Sequence, residues 1–394
     1  VSRYRLHPSP AQERILREHC AHARFVWNLA VEQHSWWHPG GKSAPGYLAQ
    51  CRQLTEARAE FDWLRAGSQM IQQQALRDFS QAVAYHVSGT HGRPTWRKAG
   101  KDEGFRVVAL KPTDIRRVNK NIAQVRIPKA GWVRFRLSRP VSQSAKSFRV
   151  TLDRVGRWHI AFAVIPPPIP APANGLVVGV DRGIKVSVAL STGELQSIGK
   201  LSPGRERRLL RLERSLARCQ RGSNRRTRVK RNVAKLRSRQ ASMRKDWCEK
   251  LTTHLAVSFD LIRVEALDVR AMTRSARGTA TKPGRRVAQK AALNRGILEN
   301  SWGMFVTRLD QKAPGRIERV HPAYTSQRCS ACGKVDAKAR QSQAVFACRS
   351  CGYTSNADVN AARNIAVGRT VTARGGVGIA QPVNREPQPV LLSI

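Results

Sequence analysis

The chain has 394 residues, and its 71 lysine and arginine residues outnumber its 26 aspartate and glutamate residues, which gives a formal net charge of +45. Such a charge repels itself in a compact fold unless a polyanion neutralises it, so the composition excludes an ordinary metabolic enzyme with a small-molecule substrate and favours nucleic acid as partner. The hydrophobic share of 41% is enough for a sizeable core, and the length suggests two or three domains.

The first 88 residues predict a short strand followed by helices. Pro8 and Pro10 end the strand, residues 1–9, and apolar residues then recur at helical spacing. A second helical run covers roughly residues 47–87 and breaks near Gly67. The side chains of the first helix that we expect in a core are Ile15, Leu16, Phe25, Val26 and Leu29.

Residues 89–170 change to alternating segments separated by Gly, Pro and Asn turns, which predict a small β-barrel or sandwich. The opening strand has no other sheet to join. We therefore expect it to belong to this barrel, with the helical unit of residues 10–88 inserted into it. The proline-rich residues 165–174 predict a spacer before a new domain.

The second half predicts an α/β domain that contains a basic helical hairpin. Two apolar strands flank a turn at residues 181–183, and a helix leads into a buried strand that ends at Glu265. Between Pro203 and Lys250, 18 lysine or arginine residues stand against four acidic ones, and leucine and valine residues recur at helical spacing. Residues 293–313 predict one amphipathic helix, and residues 368–394 predict a poorly ordered tail.

Four of the eight cysteines form two C-x2-C pairs near the C-terminus, separated by fifteen residues and each followed by glycine. Two such knuckles supply four thiolates to a tetrahedral Zn²⁺, and because the shell is then full, the zinc is expected to be structural. An iron–sulfur cluster and four unrelated buried cysteines are the alternatives. The predicted ligands are Cys329, Cys332, Cys348 and Cys351. Cysteines expected to be reduced and unliganded are Cys20, Cys51, Cys219 and Cys248, and His321 is not counted as a ligand.

Three acidic residues stand at informative places in a chain that has few acids. Asp181 and Glu265 each end an apolar strand, and Asp358 lies near the start of a predicted helix. Carboxylates on one rim of a sheet bind hard divalent cations, and two Mg²⁺ ions, for which Mn²⁺ can substitute, hydrolyse phosphodiesters. The alternative is that Asp181 is a turn residue, Glu265 pairs with an arginine and Asp358 caps its helix.

These motifs carry a family resemblance. The segments GVDRG, LNRGILENSWGMF, YTSQRCSACG and CRSCGYTSNADVNAARNIA, together with the N-terminal YRLHPSPAQERILREHCAHARFVWNLAVE, resemble the OrfB-type transposon-associated proteins called TnpB. Those proteins are similar in turn to the small type V CRISPR effectors. The likeness spans nearly the whole chain, and its most specific part is the cysteine segment with the following DVNAARNI.

The resemblance implies a multidomain α+β fold. Its parts would be a wedge-like barrel (residues 1–9 and 89–170), a helical recognition domain (10–88), an RNase H-like (RuvC) nuclease domain (175–320 and 353–367) and a zinc-ribbon insert that binds target nucleic acid (321–352). It also implies a catalytic triad of Asp181, Glu265 and Asp358. A guide RNA encoded beside the gene would be the partner, with double-stranded and single-stranded DNA as target.

The basic segments are candidate contacts to nucleic acid backbones, with a solvated helix face as the alternative. The residues singled out are Arg225, Arg226, Arg228, Lys230, Arg231, Arg285 and Arg286. Tryptophans that either stack on unpaired bases or belong to a core are Trp27, Trp36, Trp37 and Trp63.

Three functions remain open at this stage. The first is an RNA-guided DNA endonuclease that cuts beside a short flanking motif, acting as a monomer with its RNA. The others are a DNA transposase and a guided binder that does not cleave. With no apolar stretch of about 18 residues and no apolar signal core, we expect no membrane partner and a place in a prokaryotic cytoplasm, near the nucleoid.

Overall fold

The structure is a computed structural model that describes residues 2–36, 44–342 and 344–368. Trp37 and the tail from residue 369 on lie outside the described residues. The chain divides into two compact units: Val1–Pro166 with Leu212–Lys235, and Pro167–Arg211 with the described residues from Leu236 onwards. None of the helices among these residues combines the length and apolarity that a membrane span needs.

Helices follow the opening strand, β1 (Ser2–His7), in the first unit. They are α1 (Pro10–Ser35), α2 (Tyr47–Glu60), α3 (Asp62–Ala66) and α4 (Gln69–Val87). A capping box begins α1: the Ser9 hydroxyl accepts the Gln12 N–H, and the Gln12 side chain accepts the Ser9 N–H. The predicted helical run and its break at Gly67 are confirmed.

The predicted buried face of α1 is partly wrong. Leu16 and Val26 are fully buried and Ile15 packs against the core, but the side chains of Phe25 and Leu29 are 44% and 37% exposed. The buried stripe of α1 passes through small residues such as Ala23 and Ala30, so Phe25 and Leu29 fall beside it. Both line an apolar cavity of about 320 Å³.

Seven strands form one antiparallel sheet in the order β2-β6-β7-β1-β5-β4-β3. The strands after β1 are β2 (Gly104–Val108), β3 (Ile115–Arg117), β4 (Ile122–Ile127), β5 (Gly131–Arg136), β6 (Ser147–Leu152) and β7 (Trp158–Phe162). The opening strand therefore lies mid-sheet between β7 and β5. The predicted barrel is not shown, because the sheet is open: β2 and β3 are its two edges and do not pair with each other in the described residues.

One hydrophobic core joins this sheet to the helices. The Tyr4 ring meets the Phe135 and Phe162 rings edge-on at 5.5 and 5.6 Å. Leu16 of α1 and Phe79 of α4 belong to the same buried cluster. Helices and strands of the first 166 residues thus stabilise each other, and the separate wedge and recognition domains stay a prediction.

The second unit is built on a mixed sheet of five strands in the order β10-β9-β8-β11-β12. They are β8 (Val177–Asp181), β9 (Val188–Leu190), β10 (Leu195–Gln196), β11 (Leu261–Glu265) and β12 (Ile317–Val320). Strands β8, β11 and β12 are parallel, and β9 is antiparallel to β8. The carboxyl ends of the parallel strands therefore meet at one edge of the sheet.

The remaining elements are α5 (Pro203–Arg218), α6 (Asn224–Ser258), α7 (Val269–Met272), α8 (Val287–Glu299), α9 (Trp302–Lys312), β13 (Val345–Ala347), β14 (Thr354–Asn356) and α10 (Ala357–Val367). Leu255 of α6 and Phe305 of α9 are buried against the sheet strands in one core. The single helix predicted for residues 293–313 is wrong. Ser301 has a left-handed backbone, with φ of 56°, and divides the segment into α8 and α9.

Candidate functional site

Two of the three predicted acids lie side by side because of strand pairing. Asp181 is the last residue of β8 and Glu265 the last residue of β11. In the parallel register Val180 lies opposite Val264, so both carboxylates leave the sheet at the same edge. The strand-end pattern in the sequence predicts this arrangement.

The third acid reaches the site on α10. Asn356 begins this helix by accepting the N–H groups of Asp358 and Val359, so the cap is Asn356 and not the aspartate. The helix crosses β8 at Gly179, where a Cβ atom would lie 2.0 Å from the Ala362 carbonyl oxygen. Only glycine permits so close an approach of helix and strand backbones.

Electrostatic interactions show that the three acids share one environment. Burial first, and then the charges of Glu265 and Asp358, raise the pKa of Asp181 to about 7, against the opposing charges of Arg340 and Arg182. Burial also raises the pKa of Glu265. Like charges held in a buried place are stable only with a counter-cation, so this donor set fits divalent metal ions.

Arginines partly supply that counter-charge. Arg340 forms an ion pair with Asp358, 2.9 Å from its guanidinium nitrogen to the carboxylate oxygen. The Arg182 guanidinium donates to the backbone carbonyl of Glu265. Neither arginine was predicted as a site residue. Arg340 and Asp358 are eighteen residues apart, so their spacing in the sequence does not indicate the pair. The three carboxylates are not drawn into a tight ligand cluster. Among the described residues the four cysteines are the only group of three or more His, Cys, Asp or Glu side chains whose ligand atoms all lie within 4.8 Å of one another.

The four predicted cysteines do meet. The Sγ atoms of Cys329 and Cys351 are 3.8 Å apart, and those of Cys332 and Cys348 are 3.6 Å apart. A tetrahedron with Zn–S distances of about 2.3 Å requires sulfurs separated by about 3.8 Å. The sulfur geometry therefore fits zinc.

The glycines after the knuckles have a local role. Gly333 and Gly352 have φ of 77° and 72°, the left-handed conformation that lets each turn close under its sulfurs. The backbone N–H groups of Ser350 and Cys351 lower the pKa of Cys348 to about 6, which favours the thiolate that a metal binds.

The other cysteines and the nearby histidine take no part in this cluster. Cys20, Cys51, Cys219 and Cys248 are free, and the ring of His321 accepts the Ala323 N–H.

Asparagines of α10 tie the first knuckle to the acid site. Asn360 donates to the Arg328 carbonyl and accepts the Ser330 N–H, while Asn364 donates to the carbonyls of Thr325 and Arg328. The Thr325 hydroxyl donates to the Glu265 carboxylate over 2.8 Å. These side chains were not predicted from the sequence. The available signal was the pair of asparagines four residues apart in α10, since a buried amide must be hydrogen-bonded.

The predicted contacts to nucleic acid lie in two segments. The exposed ones at the start of α6 are Arg225, Arg228, Lys230 and Arg231, and those before α8 are Arg285 and Arg286. Arg226 differs: its guanidinium donates to the carbonyls of Leu216 and Cys219 and so caps the end of α5. Of the tryptophans, Trp27 is buried, Trp63 is half-exposed against Phe25, and Trp36 is 68% exposed.

Known families match three segments. A model described as "Helix-turn-helix domain" matches residues 2–42, one described as "Probable transposase" matches residues 159–276, and one described as "Cas12f1-like, TNB domain" matches residues 302–365. In residues 2–36 the structure has the strand β1 and the single long helix α1.

A protein of Escherichia coli (strain K12), named "Putative RNA-guided DNA endonuclease InsQ", is 33% identical over 99% of this chain and 97% of its own length. The chain belongs to the TnpB family. A second TnpB relative, "Putative RNA-guided DNA endonuclease" of Streptomyces pristinaespiralis, is 28% identical over 96% of the chain and 91% of that protein.

A solved structure shares the fold of this TnpB family member. It is described as "Cryo-EM structure of the Cas12f1-sgRNA-target DNA complex", and it superposes with a TM-score of 0.57 at 14% identity, over 91% of this chain and 83% of that one. The fold is therefore a Cas12f1-like α+β fold, with the antiparallel sheet and the mixed sheet described above.

Proposed function

We propose that the chain is an RNA-guided DNA endonuclease whose nuclease domain is RNase H-like (RuvC), with Asp181, Glu265 and Asp358 as its catalytic acids. The observation that carries the proposal is the convergence of these acids at one sheet edge, where the charges of Glu265 and Asp358 raise the pKa of Asp181. The names of the full-length relatives support the guided activity.

Each acid has a defined part in this proposal. Asp181 holds a proton near neutral pH and releases it when the site takes up a cation, Glu265 is oriented by the Thr325 hydroxyl, and Asp358 is fixed by its place in the first turn of α10. When bound, two Mg²⁺ ions, or Mn²⁺ in their place, supply an activated water and stabilise the leaving oxygen of the phosphodiester.

The cysteine cluster serves a structural zinc in the same proposal. The zinc would be held by all four thiolates and would keep the ribbon, residues 321–352, in place beside α10, to which Asn360 and Asn364 bind it. The ribbon would contact target nucleic acid.

The partners are a guide RNA and a DNA target. Base pairing would read the sequence, while the +45 charge neutralises the phosphates of both strands and the protein recognises a short flanking motif. The wedge and recognition domains, with the boundaries given above, would hold this complex as a monomer with its RNA in a prokaryotic cytoplasm.

The experiment is to express the chain with its native flanking DNA, to sequence the RNA that co-purifies, and to assay cleavage of a matching DNA with Mg²⁺. We expect one abundant RNA with a constant scaffold and a variable end. Asp181→Asn should lower cleavage at least about 10³-fold. The matched control is Asp246→Asn, an exposed aspartate paired with Lys250, which should cleave normally.

A transposase is the second candidate, because two of the matching family models are described as "Probable transposase" and "Helix-turn-helix domain". Heterogeneous co-purifying RNA, together with strand transfer of terminal DNA sequences by RNA-free protein, would establish that candidate and reject ours. Sequence-specific binding of guided protein, with no cleavage by the wild type, would instead indicate a non-cleaving binder.

A further inference from the structure

Arg97 has an unusual environment in the first unit. Its guanidinium carbon lies over the Trp27 ring, 3.7 Å from the ring centroid, and the residue is half-buried. No acceptor among the described residues receives a hydrogen bond from this guanidinium. A desolvated guanidinium that has no hydrogen-bond acceptor is costly.

The guanidinium is held in place by its surroundings. The Asn28 side chain forms two hydrogen bonds with the Arg97 backbone. It accepts the Arg97 N–H over 2.7 Å and donates to the Arg97 carbonyl over 3.0 Å. The Trp27 ring is fixed in turn, since its indole N–H donates to the Thr95 carbonyl and its ring packs perpendicular to that of Phe79. The flat cation is therefore preorganised for a ligand.

Two more arginines face this place from the sheet. Arg106 of β2 lies directly opposite Arg149 of β6 in the antiparallel register, so both side chains stand on one face. Like charges in such a pair repel each other. Arg149 also acts on Arg97: burial first, and then the charge of Arg149, lower the pKa of Arg97 to about 10.

Asp78 supplies negative charge near these cations. Asp78 lies 3.7 Å from Arg106, beyond hydrogen-bond range, and its carboxylate accepts from the Gln74 amide over 2.8 Å. Arg106 and Arg149 make no side-chain hydrogen bond within the described part of the chain. The place thus has excess positive charge and free planar donors.

We infer that Arg97, Arg149 and Arg106 form a phosphodiester-binding site, in which the Arg97 fork, stacked on Trp27, receives one backbone phosphate. Planar guanidinium groups donate pairwise to phosphate oxygens. The inference rests on the proposed function, because it assigns one anchoring point of the nucleic acid that the function requires. The phosphodiester can belong to RNA or to DNA.

The test compares Arg97→Gln with Arg17→Gln in the full chain, purified free of RNA. Arg17 is the matched control, because it also lies over a tryptophan ring, Trp158 at 6.0 Å, but has its own carboxylate partner, Glu13. Binding of a 20-nucleotide RNA and of a DNA of the same sequence is measured by anisotropy across a series of salt concentrations.

Arg97→Gln should weaken binding about 10-fold and reduce the slope of log K against log salt by about 1, since one phosphate contact is lost. An effect on RNA alone assigns the site to the guide, an effect on DNA alone assigns it to the target, and an effect on both assigns it to either backbone. Arg17→Gln should change neither quantity as much.

Thermal unfolding separates a binding role from a structural one. A ligand site predicts that inorganic phosphate raises the unfolding midpoint of the wild type more than that of Arg97→Gln, whose own midpoint stays within about 3 °C of the wild type. Binding equal to that of Arg17→Gln in the salt series, with a clearly lower midpoint for Arg97→Gln, would show that Arg97 is a brace and overturn the inference.

The binding assay needs neither a guide nor cleavage. A wild type that does not cleave, with a salt slope that depends on Arg97, would keep the site and reject the endonuclease. A wild type that cleaves, with a slope unchanged by Arg97→Gln, would reject only the site.

Discussion

The cysteine cluster and the acid site are linked by hydrogen bonds of α10 and are built in opposite ways. The four sulfurs come from two short knuckles and already have the spacing of a tetrahedral metal site. The three acids come from two strands and a helix, and one of the acids, Asp358, forms an ion pair with Arg340. A site made by local turns is complete once those turns form, whereas a site made by distant elements depends on how they pack.

The largest expected effect comes from the cysteine cluster. Cys348→Ser should abolish stoichiometric zinc, unfold the ribbon and lower cleavage at least about 10²-fold, because structural zinc contributes about 10 kcal/mol or more to folding of small domains. Zinc content by elemental analysis and DNA cleavage check this. Cys219→Ser is the control, since that cysteine lies outside the cluster. Full cleavage activity of zinc-free protein would contradict the claim that cleavage depends on the zinc.

The next effect concerns the charge of Asp181. Its pKa is about 7 in the fold against 3.8 as a free side chain, so the folded state holds this proton more tightly than the unfolded state. The free energy of unfolding of Mg-free protein should therefore fall as the pH rises from about 4 to about 7, by up to about 4 kcal/mol from this group.

Asp181→Asn removes that dependence. The stability difference between the variant and the wild type should grow through this pH range in favour of the variant and stay constant above pH 7. Urea unfolding in Mg-free buffer without chelator, which keeps the zinc, measures it. A difference that is the same at pH 5 and pH 8 would show that Asp181 is not a strained acid.

A smaller effect is expected from the asparagine ties. Asn364→Ala removes two hydrogen bonds, one to the buried Thr325 carbonyl and one to the partly buried Arg328 carbonyl, which should cost about 1–3 kcal/mol of stability. Because the Thr325 hydroxyl orients Glu265, the variant should also bind Mn²⁺ more weakly. The control is Asn174→Ala, whose amide donates to Ser258 elsewhere in the unit. Unchanged Mn²⁺ affinity in Asn364→Ala would show that this asparagine does not influence the acid site.

The smallest effect is expected at Arg340. Its removal as Arg340→Gln takes a competing cation from Asp358, so Mg²⁺ affinity measured at pH 8.5 should rise about 3- to 10-fold, the size of an ion pair of about 1 kcal/mol. Arg319→Gln, which breaks an exposed pair with Asp310, should leave the affinity unchanged. Weaker Mg²⁺ binding in Arg340→Gln would mean that the arginine organises the site instead of blocking it.

The features that could be predicted from the sequence are those that depend on the spacing of residues close together in the chain. The C-x2-C knuckles, the first helices and the strand ends at Asp181 and Glu265 depend on neighbouring residues. The fold also has the mixed sheet that places those strand ends together.

The rest depends on contacts between distant residues. Ser301 has a left-handed backbone and divides α8 from α9, but the residue is not a glycine, so the sequence does not indicate a break there. Arg97 meets Trp27 across seventy positions, and the exposure of Phe25 depends on which side of α1 the sheet covers. Such features follow from packing, which periodicity does not report.

The most direct test of the central claim, that three acids form one divalent-cation site, is calorimetric titration of the RNA-free protein with Mn²⁺ at pH 8. The account predicts saturable binding in the wild type and in Asp246→Asn, and its loss in each of Asp181→Asn, Glu265→Gln and Asp358→Asn. Saturable binding that survives any one of those three substitutions at wild-type affinity would contradict it.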